Sequence, residues 1–355
     1  MKCKLYVVMP SYNKEQYITQ AIDSVLAQQT NFNVTLIITD DGSTDKTLEI
    51  VNDYIKKYPN KIVLLPSEKN QGLLSNIIKA YEYLIKNKSE YFCCLDADDF
   101  LTDDKFYQNA IDFLDKNKDF NIYAAKTSVL FPDGKTVVSR PADGITFVDS
   151  TFMDMLNGTA VLGNTISSVF RNCVLNKELI EKMKQYVGDH YSEHSFREDD
   201  FRDRIHLENG KVHFVYDIVG AYRSTPNGLF QGSNDLKRIL LKIRAFIDMY
   251  YFFDKKYPEF INLALKQLER IDNEAVKSDL NRLFKYKTQD ILELCSVIAE
   301  LKKHDDAYVS GIIERVRGRH TNFLEKIFSI KNYDESHRIM RILGIKIKLR
   351  KNKVQ

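Results

Sequence analysis

Through the first hundred residues, short apolar runs alternate with amphipathic helical patterns, and this alternation leaves few folds open. Leu5 to Met9 is a wholly apolar run stopped by Pro10. From Lys14 to Gln28, the residues Tyr17, Ile18, Ala21, Ile22, Val25 and Leu26 recur at helical spacing. Val34 to Thr39, Lys61 to Leu65 and Tyr91 to Leu95 are further strands, and helices are predicted over Thr44 to Tyr58 and Leu73 to Lys86. Such repeats require right-handed crossovers and a mainly parallel, Rossmann-like α/β sheet with helices on both faces.

The middle third is less regular. Phe120 to Phe131 and Thr136 to Ser139 flank Pro132-Asp133-Gly134, a hairpin signal, and Asn164 to Arg171 and Val212 to Tyr222 are predicted strands. Beyond Asp235 the texture changes to three long helical patterns, Leu236 to Phe253, Glu259 to Leu283 and Gln289 to Val316. We therefore expect an α/β domain over residues 1–232, an α-helical C-terminal region over 233–335 and a basic amphipathic tail over 336–355.

Composition removes several classes of function. A formal net charge of +3 over 355 residues gives no footprint for nucleic acid. The five cysteines are odd in number and only Cys93 and Cys94 are close, which suggests neither a disulfide framework nor a metal knuckle. Met1 to Pro10 reads as a strand rather than a secretory leader, and no run approaches ~18 uninterrupted apolar residues. A cytoplasmic chain is expected.

Polar clusters follow the strands. Pro10-Ser11-Tyr12-Asn13 follows the first, Asp40-Asp41 the second and Asp96-Ala97-Asp98-Asp99 the fourth. A parallel sheet would set all three along one rim, where open α/β sheets bind ligands. Asp96 and Asp98 are hard oxygen ligands suited to Mg²⁺ or Mn²⁺ bridging to a diphosphate, although aspartates also terminate strands and cap helices. In Asp40-Asp41-Gly42-Ser43-Thr44-Asp45, Gly42 permits a tight turn and Ser43 or Thr44 can cap the next helix. Asp41 would then be free to accept from a base or a ribose. Glu198-Asp199-Asp200 is either a charged first helical turn or the source of a general base.

Taken in order and spacing, VVMPSYNKEQYITQAIDSVLAQQ, LIITDDGSTDKT, NQG, YFCCLDADD and REDDFRDRI resemble the family 2 glycosyltransferases of GT-A fold. The likeness spans roughly residues 1 to 225 and is strongest to bacterial enzymes of capsule, lipopolysaccharide and teichoic-acid glycosylation. It implies a nucleotide-sugar half over 1–100 and an acceptor and base half over 101–232. A nucleotide-diphospho-sugar, foremost a UDP-sugar, would be held by Pro10, Tyr12, Glu15, Asp41 and Asp96, with Tyr12 against the base. Asp98 would bind Mn²⁺ or Mg²⁺, and Asp199, or else Glu198 or Asp200, would be the base of an inverting single displacement onto a glycan or lipid-linked saccharide. Tyr222-Arg223-Ser224 resembles a stretch that closes over the donor, so Arg223 would neutralise diphosphate.

The chain departs from this pattern at Ile77 and Ile78, where many relatives carry Arg-Asn; Lys69 or Arg223 would then serve the phosphates. The absence of a QxxRW motif argues against a processive synthase. Arg338 to Lys353 carries seven basic and no acidic residues. Such a run either attracts an anionic membrane surface, at about 1 kcal/mol per basic residue, or forms a terminal strand or helix on the body. LGIKIK-type endings in relatives acting on lipid-linked acceptors imply peripheral attachment at the inner face of the cell membrane. The helical region carries no chemical motif; packing on the catalytic domain, homo-oligomer formation or shaping of the acceptor cleft are its three candidate roles. Two other classes compete: an inactive nucleotide-sugar-binding subunit, and a haloacid-dehalogenase-type phosphatase suggested by LDADDFLT.

Overall fold

The computed structural model describes residues 4–138, 146–187, 198–225, 235–270, 288–318, 329–332, 337–342 and 345–350. The chain divides into two compact units, residues 1–233 with 245–260, and residues 234–244 with 261–355.

The first unit opens with β1 (Leu5–Ser11), α1 (Ile18–Leu26), β2 (Val34–Asp40), α2 (Thr47–Lys57), β3 (Ile62–Pro66), α3 (Leu73–Lys86) and β4 (Tyr91–Cys94). It continues with β5 (Phe100–Leu101), α4 (Phe106–Lys116), β6 (Phe120–Leu130), β7 (Thr136–Val137), β8 (Phe147–Ser150), α5 (Phe152–Asn157), β9 (Ser168–Arg171), α6 (Lys177–Lys184), α7 (Glu198–Glu208) and β10 (Lys211–Arg223). Ten strands form one mixed sheet in the order β3-β2-β1-β4-β9-β6-β10-β5, with β7 on β6 and β8 on β10. The long ladders, β1 with β2 and β6 with β10, are parallel. Short β9 runs antiparallel to both neighbours, β4 and β6. The carboxyl ends of β1, β2, β4, β6 and β10 therefore share one edge.

Both faces of the central strands are covered, as their unbroken apolar runs require. Val7 and Met9 of β1, Leu36 and Ile38 of β2 and Cys93 of β4 join Ile22 of α1 and Tyr107 and Ile111 of α4 in one buried core. Each such side chain contributes about 1.5–3 kcal/mol on burial. Pro10 is tolerated inside β1 for a geometric reason. The Val8 carbonyl accepts from Leu95 on the β4 side, whereas the Ser11 carbonyl accepts from Asp41 on the β2 side. Pro10, two residues on from Val8, thus turns its missing N–H toward a strand that has already left the sheet.

Several boundaries differ from the sequence expectation. α1 starts at Ile18 rather than Lys14, because residues 14–17 form a turn in which the Lys14 carbonyl accepts from Tyr17 and Ile18. α2 starts at Thr47 rather than Thr44, since Ser43 and Thr44 bond across to other loops instead of capping it. The stretch before β9 is a 3₁₀ turn, Thr165–Ser167, not strand.

After α8 (Asp235–Phe252), α9 (Glu259–Glu269) covers the start of the predicted 259–283 helix, whose remainder lies outside the described residues. The predicted 289–316 helix is two, α10 (Thr288–Lys302) and α11 (Asp306–Gly318), and Asp305 caps the second by accepting from the Tyr308 amide at 2.9 Å. The tail contributes β12 (His337–Ile342) and β13 (Ile345–Arg350), which form an antiparallel sheet with β11 (Ser329–Asn332), a strand within the stretch expected to be helical. Among the described residues no helix is long and apolar enough to cross a membrane.

Candidate active site

Because β1 lies between β2 and β4 in register, with Ser11 opposite Asp40 and Val8 opposite Cys94, the loops after these strands emerge side by side. The β1 and β2 loops are tied together. Asn13, at a positive φ of 51°, donates its amide to Ser43 Oγ at 2.9 Å, while its side-chain oxygen accepts from the Thr44 amide at 2.8 Å. Glu15 accepts from the Lys46 amide at 2.9 Å and donates its own amide to Asp45 at 3.1 Å. Asp40 accepts from the amide and hydroxyl of Ser43 at 2.8 and 2.6 Å.

Asp41, expected to be free to accept from a base or a ribose, already holds two backbone amides. It is buried and accepts from the amides of Gln71 and Gly72 at 2.9 and 3.0 Å, fastening the NQG loop to the rim. Gly42 serves the same junction: at φ +75° its Cα lies so close to Lys69 that a Cβ would stand 2.8 Å from backbone atoms. Lys69 itself is exposed, whereas Ile77 and Ile78 are buried in α3 and offer nothing to a phosphate. Tyr12 stands out at the rim, 42% exposed, as a face against which a planar ring can lie.

The loop after β4 is built differently. Its turn is closed by the Asp99 amide donating to the Asp96 carbonyl at 2.9 Å. Arg223, at the carboxyl end of β10, holds the loop from the far side. Its amide donates to Asp99 Oδ1 at 2.7 Å, its Nε to the Asp98 carbonyl at 2.9 Å and its Nη2 to Gln20 at 2.7 Å. The guanidinium also lies over the rings of Tyr17 and Phe100, at 4.9 and 5.3 Å. Arg223 is thus a clamp on the acidic loop.

Electrostatics bring the last predicted residue to this place. Burial, followed by the negative charges of Asp98 and Asp199, pushes the Asp96 carboxyl up to about 7, against opposing Arg202 and Lys14. Asp199, in the first turn of α7, therefore lies close enough for its charge to act on Asp96. The side chains of Glu198 and Asp200 lie outside the described residues. Asp99 is held well above the carboxylate range by burial and by Asp96. The placement of α7 follows from its buried side: Arg202 lies over Phe170 of β9 at 4.9 Å, and His206 packs against both Phe92 and Phe170, at 5.5 and 4.9 Å. Burial keeps that imidazole neutral, pulled down to about 3.

Two cations that sequence reasoning missed complete the site. Arg202 opposes the charge of Asp96, and the Lys14 ammonium pairs with Asp98 Oδ2. Among the described residues no three His, Cys, Asp or Glu side chains converge as a ready metal cage. A magnesium or manganese ion shared with substrate phosphates needs only one or two protein carboxylates. Asp98, partly exposed and already holding a cation at one oxygen, fits that requirement.

Known proteins resemble this chain in sequence and in fold. The minor teichoic acid biosynthesis protein GgaB of Bacillus subtilis is 36% identical over 132 residues, 37% of this chain and 14% of that protein. The dTDP-rhamnosyl transferase RfbG of Shigella flexneri is 32% identical over 145 residues, 41% of this chain and 49% of that one. The chain spans less than half the length of these two curated relatives. A crystal structure of S. aureus TarS 1-349 in complex with UDP-GlcNAc superposes with a TM-score of 0.61 at 16% identity, covering 98% of this chain and 99% of that one. The fold, a mixed sheet with helices on both faces and helices following it, is that of the GT-A glycosyltransferases. Residues 6–182 match glycosyl transferase family 2, and the chain belongs to that family.

Proposed function

We propose that this chain transfers a sugar from a nucleotide-diphospho-sugar, foremost a UDP-sugar, to a hydroxyl of a glycan or lipid-linked saccharide in bacterial surface polysaccharide synthesis. The observation that carries the reading is that the Asp96 carboxyl is raised, after burial, by the charges of both Asp98 and Asp199, the latter about a hundred residues on in sequence. In this reading Tyr12 lies against the base, Asp96 faces the ribose, Pro10 and Glu15 shape the pocket and Asp41 keeps its loop, and with it the base contact, in place. A Mn²⁺ or Mg²⁺ ion on Asp98 would supply charge neutralisation for the departing diphosphate. Asp199 takes the acceptor proton as the hydroxyl attacks from the face opposite the leaving group, inverting the anomeric centre. The haloacid-dehalogenase alternative needs a carboxylate nucleophile after β1, where Pro10, Ser11 and Tyr12 stand instead. An inactive binding subunit would have no use for Asp199 at the donor rim.

The test combines UDP-, GDP- and dTDP-sugars with Mn²⁺ and a saccharide acceptor and measures nucleotide release. Wild type releases nucleotide, Asp98→Asn loses metal-dependent donor binding, and an active Asp98→Asn enzyme would overturn the assignment. We further propose a cytoplasmic enzyme seated on the inner membrane face. The tail sheet supports this: its register sets Lys331, Arg341, Lys346, Lys348 and Arg350 on one face with Ile339, and Ile330, Met340, Ile347 and Leu349 on the other with Arg338. Deleting residues 338–355 then moves the protein from the membrane to the soluble fraction, and an unchanged distribution removes the idea. The helical region is proposed to shape the acceptor cleft or to join copies of the chain.

A further inference from the structure

Lys14 has no task in the reaction just described, yet it is one of the most constrained residues of the rim. Its amide donates to Thr47 Oγ1 at 2.8 Å, and its carbonyl accepts from Tyr17 and Ile18, both at 2.9 Å. The preceding Asn13 is locked at positive φ by its bonds to Ser43 and Thr44. Only the four-carbon stem is left to move. The ammonium at its end sits on Asp98 Oδ2, and both side chains are partly shielded, 29% and 17% exposed. The other strong contact to Asp98, from Arg223, goes to its carbonyl and leaves the carboxylate to Lys14.

We propose that Lys14 is a tethered counter-cation that holds the carboxylate of Asp98 while no donor is bound and yields it on loading, so that metal binding to the free protein is held down. The inference rests on the reading of Asp98 as metal ligand. The physical argument is competition. Asp96, Asp98 and Asp99 crowd negative charge into one turn, and an unneutralised turn of this kind is costly. A lysine stem anchored at both backbone groups offers a permanent local cation. A divalent ion seeking the same oxygen must first displace that ammonium, and the diphosphate of an arriving donor offers the freed ammonium a new partner.

The experiment titrates Mn²⁺ into nucleotide-free protein, following free Mn²⁺ by electron paramagnetic resonance, for wild type, Lys14→Met, Lys14→Arg and Asp98→Asn. Near-ultraviolet circular dichroism verifies the fold, and Lys14→Gln replaces Lys14→Met should that variant not fold. Lys14→Met is expected to bind Mn²⁺ about fivefold to tenfold tighter than wild type, the size set by removing a partly screened competing charge. Lys14→Arg should stay within about twofold of wild type, because it keeps the charge. Asp98-dependent Mn²⁺ binding that is unchanged or weakened in Lys14→Met overturns the proposal alone. Mn²⁺ binding that does not depend on Asp98 in any variant overturns the metal reading and this proposal with it.

Discussion

Two aspartate clusters share the rim, and their chemistry is opposite. Asp40, Asp41 and Asp45, after β2, spend their oxygens on amides and hydroxyls of neighbouring loops. Asp96, Asp98 and Asp99, after β4, face one another, and two of the three are driven toward the protonated form. In sequence the two clusters look alike. Donors make the difference: the first loop is ringed by backbone N–H groups, while in the second Asp96 feels the negative charges of Asp98 and Asp199. Satisfied carboxylates build a scaffold, and crowded ones create demand for a cation.

The contrast can be broken experimentally. The largest effect should come from Asp199→Asn, which is expected to lower the transfer rate by about 10²–10⁴-fold while donor affinity, measured by calorimetry, changes little. Equal losses of rate and affinity would return Asp199 to donor binding. Asp41→Ala strands the amides of Gln71 and Gly72 and should cost roughly 2–4 kcal/mol in urea unfolding. If stability holds and only donor affinity falls, Asp41 belongs with the second cluster.

Asp96→Asn should act in the other sense. The folded carboxyl titrates near 7 and the unfolded one near 3.8, so the native state is disfavoured as pH rises through that window. The substitution is expected to stabilise the donor-free protein by ~1–3 kcal/mol at pH 8, with the gain fading toward pH 4. A gain equal at both pH values would contradict the crowding. Smallest is Arg223→Lys, which loses the fork onto Gln20 and the Asp98 carbonyl and should cost about 1 kcal/mol of stability. A fall in donor affinity with no stability change would make Arg223 a phosphate ligand rather than a clamp.

Much of this was legible in the sequence. The strands β1 to β4 and the helices between them announce themselves by unbroken apolar runs and helical periodicity, and they suffice to predict that Asp41 and Asp96 share an edge. Helix starts were not legible, because Ser43 and Thr44 are recruited by Asn13, about thirty residues away, and long-range bonds override local capping. The partnership of Lys14 with Asp98 spans 84 positions and leaves no local mark. The break between α10 and α11 falls in the polar run Lys302-Lys303-His304-Asp305-Asp306, where the apolar periodicity lapses. For Asp199 the family resemblance singled out one of three successive carboxylates, and the packing of Arg202 and His206 against β9 and β4 positions the helix that carries it.

Strand β9 carries a consequence for how the chain must be assembled. β4, which delivers Asp96 and Asp98, is flanked on one side by β1 and on the other by β9, more than seventy residues later. A polypeptide ending before Ser168 would leave the backbone of β4 as an open, apolar border, ready to pair with another copy. The stretch from β1 to β4 is thus no independent folding unit. Synthesis must pass Arg171 before the acidic loop has a finished wall behind it, and fragments cut between α4 and β9 are expected to aggregate rather than bind nucleotide.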